Sequence, residues 1–160
     1  MFLENEDLKV WTMSHPEVLY DLEIPSYLTD LLKQENIDIT YWGKFKRRPK
    51  FSKKEKFICV FEGTEEFKLV HFMFKNEVRA GTDKELRLED TPLDFFTDES
   101  LKDRKVVLTA RLKRGDCLYI PAFYWYQSQS IPEHENDIYP RVSFITINFK
   151  AHSVLTDLLV

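Results

Sequence analysis

Residues 114–127 read RGDCLYIPAFYWYQ, and they are the most informative segment of the chain. Gly115 and Asp116 form a turn signal, and the short apolar run CLYI that follows predicts a strand. Pro121 ends this strand because proline has no N–H to donate to a β-ladder. The aromatic run FYWY at residues 123–126 then predicts a second strand. A turn, a strand, a proline corner and another strand in such a short span are typical of the rim of a β-barrel.

The rest of the sequence predicts a mainly β protein with one helix before the strands and one after them. Short apolar or alternating runs, bounded by turn residues, predict strands at residues 8–13, 37–42, 57–61, 67–74, 105–112 and 141–149. Apolar stripes at helical spacing predict helices at residues 26–33 and 151–160. The polar residues 75–104 predict an insertion or long loop with a short helix near residues 93–96.

Composition narrows the class of protein. The chain has 160 residues, which is the size of one domain, and its net charge of −4 is too mild to favour a nucleic-acid or membrane surface. No apolar run approaches the roughly 18 residues that a membrane helix needs, and the acidic N-terminus has no signal-peptide pattern. Cys59 and Cys117 lie in separate apolar runs, so we expect two reduced thiols rather than a disulfide. We therefore expect a cytoplasmic protein, with a cytoskeletal, ciliary or nuclear location as further options.

The segment around Trp125 also resembles a known family. GDCLYIP at residues 115–121 and the tryptophan that follows are similar to the "GD-x-L-Y-I-P … W-x-H-x-V" signature of JmjC domains, which are cupin-like Fe(II)/2-oxoglutarate oxygenases. DLEIPSYL at residues 21–28 is similar to the lead-in of the same family, and the resemblance extends over about residues 22–149. It implies a double-stranded β-helix, that is, a jelly-roll or cupin barrel, with short flanking helices, in a single domain spanning residues 1–160.

The resemblance also locates the positions of a metal site. Enzymes of this family bind Fe(II) through a His-x-Asp/Glu pair and through a second histidine after the tryptophan. In this sequence these positions are occupied by Lys50, Ser52 and Tyr126. An ammonium group repels a metal cation and has no lone pair at neutral pH. The resemblance therefore implies a degenerate metal site with no metal and no cofactor.

The cosubstrate positions of the family are altered as well. Glu65 lies where a lysine often pairs with the 2-oxoglutarate carboxylate, and it would repel that carboxylate. Arg47 lies near the usual threonine position and could bind an anion. Residues 50–52, at the aligned position, contain no His-x-Asp or His-x-Glu, and the sequence has no P-loop and no nucleophile elbow. We therefore predict that the chain is not an enzyme.

Residues 44–56, KFKRRPKFSKKEK, form the strongest local charge feature, which we call the basic segment. Three interpretations are open: a solvated loop near the barrel mouth, a surface for an acidic protein, and a surface that holds single-stranded nucleic acid through phosphate contacts and stacking. Nucleic acid is the weakest of the three because the chain as a whole is acidic. The side chains predicted to contact a partner are Lys44, Lys46, Arg47, Arg48, Lys50, Lys53 and Lys54.

The aromatic run after Pro121 leads to a further prediction about the interior. If Tyr124 and Tyr126 point into the barrel, they fill the space where iron and cosubstrate would lie, and Phe123 and Trp125 then pack outside or meet a partner. We favour this filling over a ligand pocket.

These features together predict a non-catalytic JmjC/cupin-like domain, used as a structural or protein-interaction scaffold in a larger assembly such as a cytoskeletal or ciliary lattice. Two alternatives stay open: an Fe(II)/2-oxoglutarate oxygenase with unusual ligands, and a barrel that binds an anion or another small molecule. We expect protein partners with acidic surfaces, a homodimer through the C-terminal helix as a further option, and no membrane association.

Overall fold

The structure is a computed structural model that describes residues 3–7, 34–41, 45–78, 91, 93–102, 106–134 and 140–149. The predicted strand at residues 8–13 and the predicted helices at residues 26–33 and 151–160 lie outside these ranges, as does Lys44. Within them, no helix is both long enough and apolar enough to cross a membrane.

Nine strands make up most of the described chain. They are β1 (Leu3–Asp7), β2 (Gln34–Tyr41), β3 (Lys50–Ser52), β4 (Glu55–Glu62), β5 (Thr64–His71), β6 (Val107–Lys113), β7 (Cys117–Ile120), β8 (Tyr124–Ile131) and β9 (Ser143–Phe149). Three short helical segments accompany them: a 3₁₀ helix (Phe72–Phe74), α1 (Lys75–Val78) and α2 (Glu99–Lys102).

The strands form two antiparallel sheets packed face to face. The five-stranded sheet has the order β1-β2-β9-β4-β7, and the four-stranded sheet has the order β3-β8-β5-β6. From β2 to β9, consecutive strands belong to alternate sheets, except that β5 and β6 are neighbours in one sheet. This is the strand order of an eight-stranded jelly roll, to which β1 adds an edge strand. The mainly β, jelly-roll fold class predicted from the sequence is confirmed.

The core lies between the sheets and is formed by alternate residues of each strand. β4 contributes Ile58 and Val60, and β5 contributes Phe67 and Leu69. The other members of this core are Leu112, Ile120, Val142 and Phe144. Because successive strand residues point to opposite faces, the residues between them lie on the outer faces of the sheets.

The proline corner after β7 connects the two sheets. β7 belongs to the five-stranded sheet and β8 to the four-stranded sheet. Phe123, predicted as a strand residue, instead lies at the corner with a positive φ of 65°, a conformation that costs a non-glycine residue about 1–2 kcal/mol. Its N–H donates to the carbonyl of Ser52 at 2.7 Å, and its carbonyl accepts from the N–H of Phe72 at 3.0 Å. These two bonds hold the corner against β3 and the end of β5.

A second crossing between the sheets follows β4. The strands predicted at residues 57–61 and 67–74 do not pair with each other, because β4 pairs with β7 and β9 whereas β5 pairs with β6 and β8. Gly63, with a φ of 75°, lies at the crossing. The strand predicted at residues 67–74 is shifted towards the N-terminus, because β5 spans Thr64–His71. His71 ends β5 because its side chain accepts a hydrogen bond from the N–H of Met73 at 3.1 Å and so caps the 3₁₀ helix.

Trp125 is the centre of an apolar cluster on the outer face of the four-stranded sheet. It is fully buried, and its ring centroid lies 4.8 Å from that of Phe51 and 5.9 Å from that of Phe72. Trp125 therefore packs outside the jelly roll, as predicted, and the chain itself covers it.

The cover comes from the segment between β5 and β6, which was predicted as a long loop. Val78, Phe95 and Leu101 are buried against Trp125. The helix predicted near residues 93–96 is wrong: residues 95–97 form a turn, and α2 begins at Glu99. In its described part, the segment packs on the outer face of the sheet because its apolar residues contact Trp125 there.

Cys59 and Cys117 form a disulfide, so the prediction of two reduced thiols is wrong. The two residues are directly opposite each other on β4 and β7, with Cα atoms 4.1 Å apart. Their neighbours Ile58 and Leu118 face the core, so the disulfide lies on the outer face of the five-stranded sheet. The separation of 58 residues hid this pairing from the sequence, because it depends on the strand register.

Alanine at Gly63 tests the close approach at the crossing after β4. A Cβ there would lie 2.1 Å from the backbone oxygen of Arg141. We expect Gly63→Ala to lower the free energy of unfolding by about 4 kcal/mol, because backbone atoms cannot move aside cheaply. Gly115→Ala is a matched control: φ there is 90°, but a Cβ meets no described heavy atom within 4 Å, so the loss should be about 1–2 kcal/mol. Equal losses in urea denaturation would contradict the close approach.

Candidate functional site

A cavity of about 360 Å³ opens between the two sheets. Its wall combines cationic, polar and aromatic side chains, among them Asp38, Lys50, Lys54, Lys56, Tyr126 and Phe144. Tyr124 and Tyr126 both pack against the core between the sheets, so they point inward as predicted. The predicted filling of the barrel is nevertheless wrong, because open space persists beside Tyr126.

The structure brings together the three residues predicted at the metal-ligand positions. Lys50 and Ser52 lie on β3, and Lys50 is directly opposite Tyr126 of β8 in the antiparallel pair. Residues directly opposite each other project to the same face of a sheet. All three residues line the cavity.

These three side chains do not fit a divalent metal. Lys50 brings an ammonium group, and the buried hydroxyl of Ser52 donates to the carbonyl of Lys54 at 2.6 Å. Burial raises the pKa of Tyr126 to about 12, and the charge of Asp38 adds to this effect, so the phenol stays protonated at neutral pH. Across the described ranges, no group of three or more His, Cys, Asp or Glu side chains is placed to hold a metal ion. An amine, a hydroxyl and a phenol are not the ligands of an Fe(II) oxygenase.

Arg47 and Glu65, predicted at the cosubstrate positions, form a buried ion pair between the sheets. Nη1 of Arg47 donates to Oε1 of Glu65, and the hydroxyl of Ser130 donates to Oε2 at 2.8 Å. The guanidinium carbon lies 4.9 Å from the ring centroid of Phe144. The sequence treated Glu65 as a repulsive group and Arg47 as an anion or partner contact. The structure corrects both roles, because each side chain binds the other.

Backbone and amide contacts fix Arg47 in this position. Its N–H donates to the carbonyl of Ser128 at 2.9 Å, and its carbonyl accepts from Nε2 of Gln127 at 2.9 Å. Oε1 of Gln127 in turn accepts from the N–H of Phe95 at 2.6 Å. Gln127 therefore links the basic segment, β8 and the segment that covers Trp125.

A second polar network, which sequence reasoning missed, lies on the inner face of the five-stranded sheet. Nζ of Lys56 donates to Oδ1 of Asn148, and Nδ2 of Asn148 donates to Asp38 at 2.8 Å. Asn36 donates to the other oxygen of Asp38 at 2.7 Å. The network joins residues of β2, β4 and β9, so only the strand register could have revealed it.

Lys56 is the innermost of the amines at the cavity. Nζ lies 5.9 Å from the ring centroid of Tyr126, which faces it from the opposite sheet. Burial lowers the pKa of Lys56; Asp38 opposes this shift, and the charges of Lys50 and Lys54 add to it. The amine is thus held in a position where its positive charge is poorly solvated.

The basic segment is not a solvated loop, because it contains β3 and the start of β4. Lys46 turns away from the cavity, pairs with Asp94 and lies 5.9 Å from the ring centroid of Phe96. The other exposed members of the predicted partner surface all line the cavity: Arg48, Lys50, Lys53 and Lys54. Most of the positive charge of the segment is therefore concentrated at one opening.

No protein-family model matches the chain, and no curated protein matches it. Solved structures resemble its fold. Escherichia coli ribosomal oxygenase YcfD has a TM-score of 0.50 at 14% identity over 82% of this chain and 27% of that chain. Hydroquinone 1,2-dioxygenase from Sphingomonas sp. TTNP3, with 4-hydroxybenzoate bound, has a TM-score of 0.48 at 9% identity over 74% of this chain and 61% of that chain.

A third similar structure is Drosophila melanogaster CENP-C bound to CAL1, with a TM-score of 0.40 at 15% identity over 70% of this chain and 63% of that chain. The chain thus spans about a quarter of the ribosomal oxygenase and less than two thirds of the other two. At these identities the likeness shows the fold alone. The fold is cupin-like, of the kind found in JmjC-type oxygenases.

Removing one partner of the buried ion pair should be strongly destabilising. We expect Arg47→Met to lower the free energy of unfolding by about 3–5 kcal/mol, because it leaves the Glu65 carboxylate buried without its counter-charge. The double variant Arg47→Met/Glu65→Leu should recover most of this loss, since two apolar groups replace two charges. Lys46→Met, which breaks the more exposed pair with Asp94, should cost less than about 1 kcal/mol. Urea denaturation of the wild type and the three variants tests this, and a double variant no more stable than Arg47→Met would contradict it.

Tyr126 should make stability fall at high pH. Its pKa is about 12 in the folded chain against an ordinary value of 10.0. Between these two pH values the folded state holds a proton that the unfolded state has lost, so the free energy of unfolding falls as pH rises through this window. The Tyr126→Phe variant should show a shallower fall. Urea denaturation at pH 8 gives the difference in the free energy of unfolding between the two proteins before Tyr126 titrates. If the free energy of unfolding fell equally steeply with pH in both proteins above pH 10, the raised pKa of Tyr126 would be refuted.

Proposed function

We propose that this chain is a non-catalytic cupin-like domain that serves as a scaffold for protein binding. One observation carries the proposal. Lys50 lies opposite Tyr126 at the cavity, and these are the positions where the resemblance to JmjC domains places the two histidines of an iron site.

The chemistry of the cavity supports the loss of metal binding. An Fe(II) oxygenase of this type binds its metal through two histidines and a carboxylate. Ser52, the third position, has its hydroxyl engaged with a backbone carbonyl. Lys54 and Lys56 add positive charge to the same cavity, and that charge opposes the entry of a divalent cation.

The buried ion pair supports a structural role for Arg47 and Glu65, which the resemblance places at the cosubstrate positions. The charge of Arg47 is already balanced by Glu65, which Ser130 also holds. A dicarboxylate arriving there would have to compete with a carboxylate that the fold itself supplies.

The exposed cations at the cavity opening support an acidic partner. Arg48, Lys53 and Lys54 are exposed within a few residues of one another, although the chain as a whole carries a net charge of −4. A positive patch steers binding towards an acidic partner surface, whereas the net negative charge of the whole chain disfavours nucleic acid.

Metal analysis tests the proposal directly. We expect the purified wild-type chain to contain no stoichiometric iron or manganese by inductively coupled plasma mass spectrometry. The triple variant Lys50→His/Ser52→Asp/Tyr126→His should bind one Mn(II) at least about 100-fold more tightly than the wild type in anaerobic titrations, because it restores the full ligand set. The double variant Lys50→His/Tyr126→His, which lacks the carboxylate, is the matched control and should bind more weakly than the triple variant.

Two results would overturn the proposal. Stoichiometric iron in the wild-type chain is one, and turnover of 2-oxoglutarate by it is the other. Either would favour the alternative, an oxygenase with unusual ligands. The wild-type measurements decide the question even if the triple variant fails to fold.

A further inference from the structure

We propose that the cavity between the sheets is a binding site for a phosphate ester with a small aromatic or apolar body, held by the amines of Lys50, Lys54 and Lys56. This inference rests on the proposed absence of a metal, and it specifies which ligand the cavity takes in place of one.

The charge of the cavity wall is the first argument. Six cationic side chains line it: Arg47, Arg48, Lys50, Lys53, Lys54 and Lys56. Among the lining residues that the structure describes, the one carboxylate is Asp38, which Asn36 and Asn148 hold. A concave, partly desolvated wall with this excess of positive charge raises the local concentration of anions.

The position of Lys56 is the second argument. A lysine on the inner face of a sheet is costly to bury unless something compensates its charge. Burial does lower its pKa, although Asp38 opposes the shift. A dianion bound between Lys56 and Lys50 would offset the desolvation of Lys56, so the ligand and the fold would stabilise each other.

The kind of cation favours phosphate over carboxylate. A guanidinium group binds a carboxylate through two parallel hydrogen bonds, whereas lysine acts as a compact point charge that suits a phosphate. The buried guanidinium of Arg47 already binds Glu65. Four of the other five cations that line the cavity are amines, and Lys56 is the most buried of them. Two or three amines balance one phosphoryl dianion better than a single carboxylate.

The apolar part of the wall defines the rest of the ligand. Ile58, Phe67, Phe144 and Tyr126 line the cavity together with the amines. Its volume of about 360 Å³ is at the small end of ligand pockets, which are lined mainly by apolar groups and oriented by a few polar ones. A phosphate attached to an aromatic ring matches both parts of the wall.

Calorimetric titration with phenyl phosphate, in the presence of EDTA, tests the site. We expect wild-type binding at least about tenfold tighter than that of benzoate, no binding of benzyl alcohol, and weakening as NaCl is added. Lys50→Gln and Lys56→Gln should each weaken phenyl phosphate binding by about tenfold. Lys113→Gln, at an exposed lysine that does not line the cavity, is the matched control and should change it less than about twofold.

Two further titrations distinguish a protein from a small molecule as the source of the phosphate group. A peptide carrying phosphotyrosine and its unphosphorylated form are titrated alongside phenyl phosphate. Binding of phenyl phosphate and of the phosphopeptide supports the site with a protein partner as its source; binding of phenyl phosphate alone supports it with a small molecule.

The proposal is overturned if no phosphorylated probe binds, or if Lys50→Gln and Lys56→Gln bind as the control variant does. Circular dichroism of each variant confirms that it is folded. Because EDTA is present, a failure of these titrations leaves the metal-free scaffold intact. Iron in the wild-type chain, measured separately, would contradict the scaffold and with it the premise of this site.

Discussion

The carboxylate of Glu65 is completely buried, and its pairing with Arg47 is the interaction on which the open end of this jelly roll depends. Isolated, that carboxylate would be too costly to keep between two sheets. The guanidinium compensates it, stacks near Phe144 and brings the basic segment across the edge of the sandwich. Once Arg47 is placed, β3 follows within three residues and presents Lys50 to the cavity. A buried ion pair contributes little to net stability, because the desolvation of two charges offsets most of their attraction, but the loss of either partner leaves the other charge buried and uncompensated.

The fold was largely predictable because its signals are local. The turn at Gly115, the strand after it and the stop at Pro121 are each encoded in a few residues, and β7 begins and ends as expected. What sequence could not supply was the sheet to which each strand belongs. Gly63 and Phe123 have positive φ values and redirect the chain between sheets, and a positive φ at phenylalanine has no signature in composition. The disulfide was missed for the same reason, since the opposition of Cys59 and Cys117 is a consequence of register.

The candidate site was predictable only in part. The resemblance around Trp125 selected Lys50, Ser52 and Tyr126, and the register of β3 and β8 does bring them to one cavity. The electrostatics around them were not predictable, because the decisive partners come from distant strands. Arg47 and Glu65 were each assigned a role towards an external ligand, although they bind one another. From the sequence, Lys56 was only one of several cations in the basic segment. Its hydrogen bond to Asn148 of β9 shows that its amine lies inside the cavity.

Under the proposed function, the positive charge at the cavity is carried by amines and not by a metal. In an Fe(II) enzyme of this fold, positive charge at the open end belongs to the metal. Here ammonium groups of Lys50, Lys54 and Lys56 occupy the same wall. A chain that needed only to close an unused cavity would gain more from apolar side chains, since these commonly replace buried charges at no cost in stability. The amines line the cavity together with aromatic side chains. An anion bound in the cavity would compensate the positive charge of these amines. The proposed absence of a metal and the proposed anion site are therefore compatible, because metal binding requires particular electron-pair donors whereas anion binding requires positive charge and sufficient space.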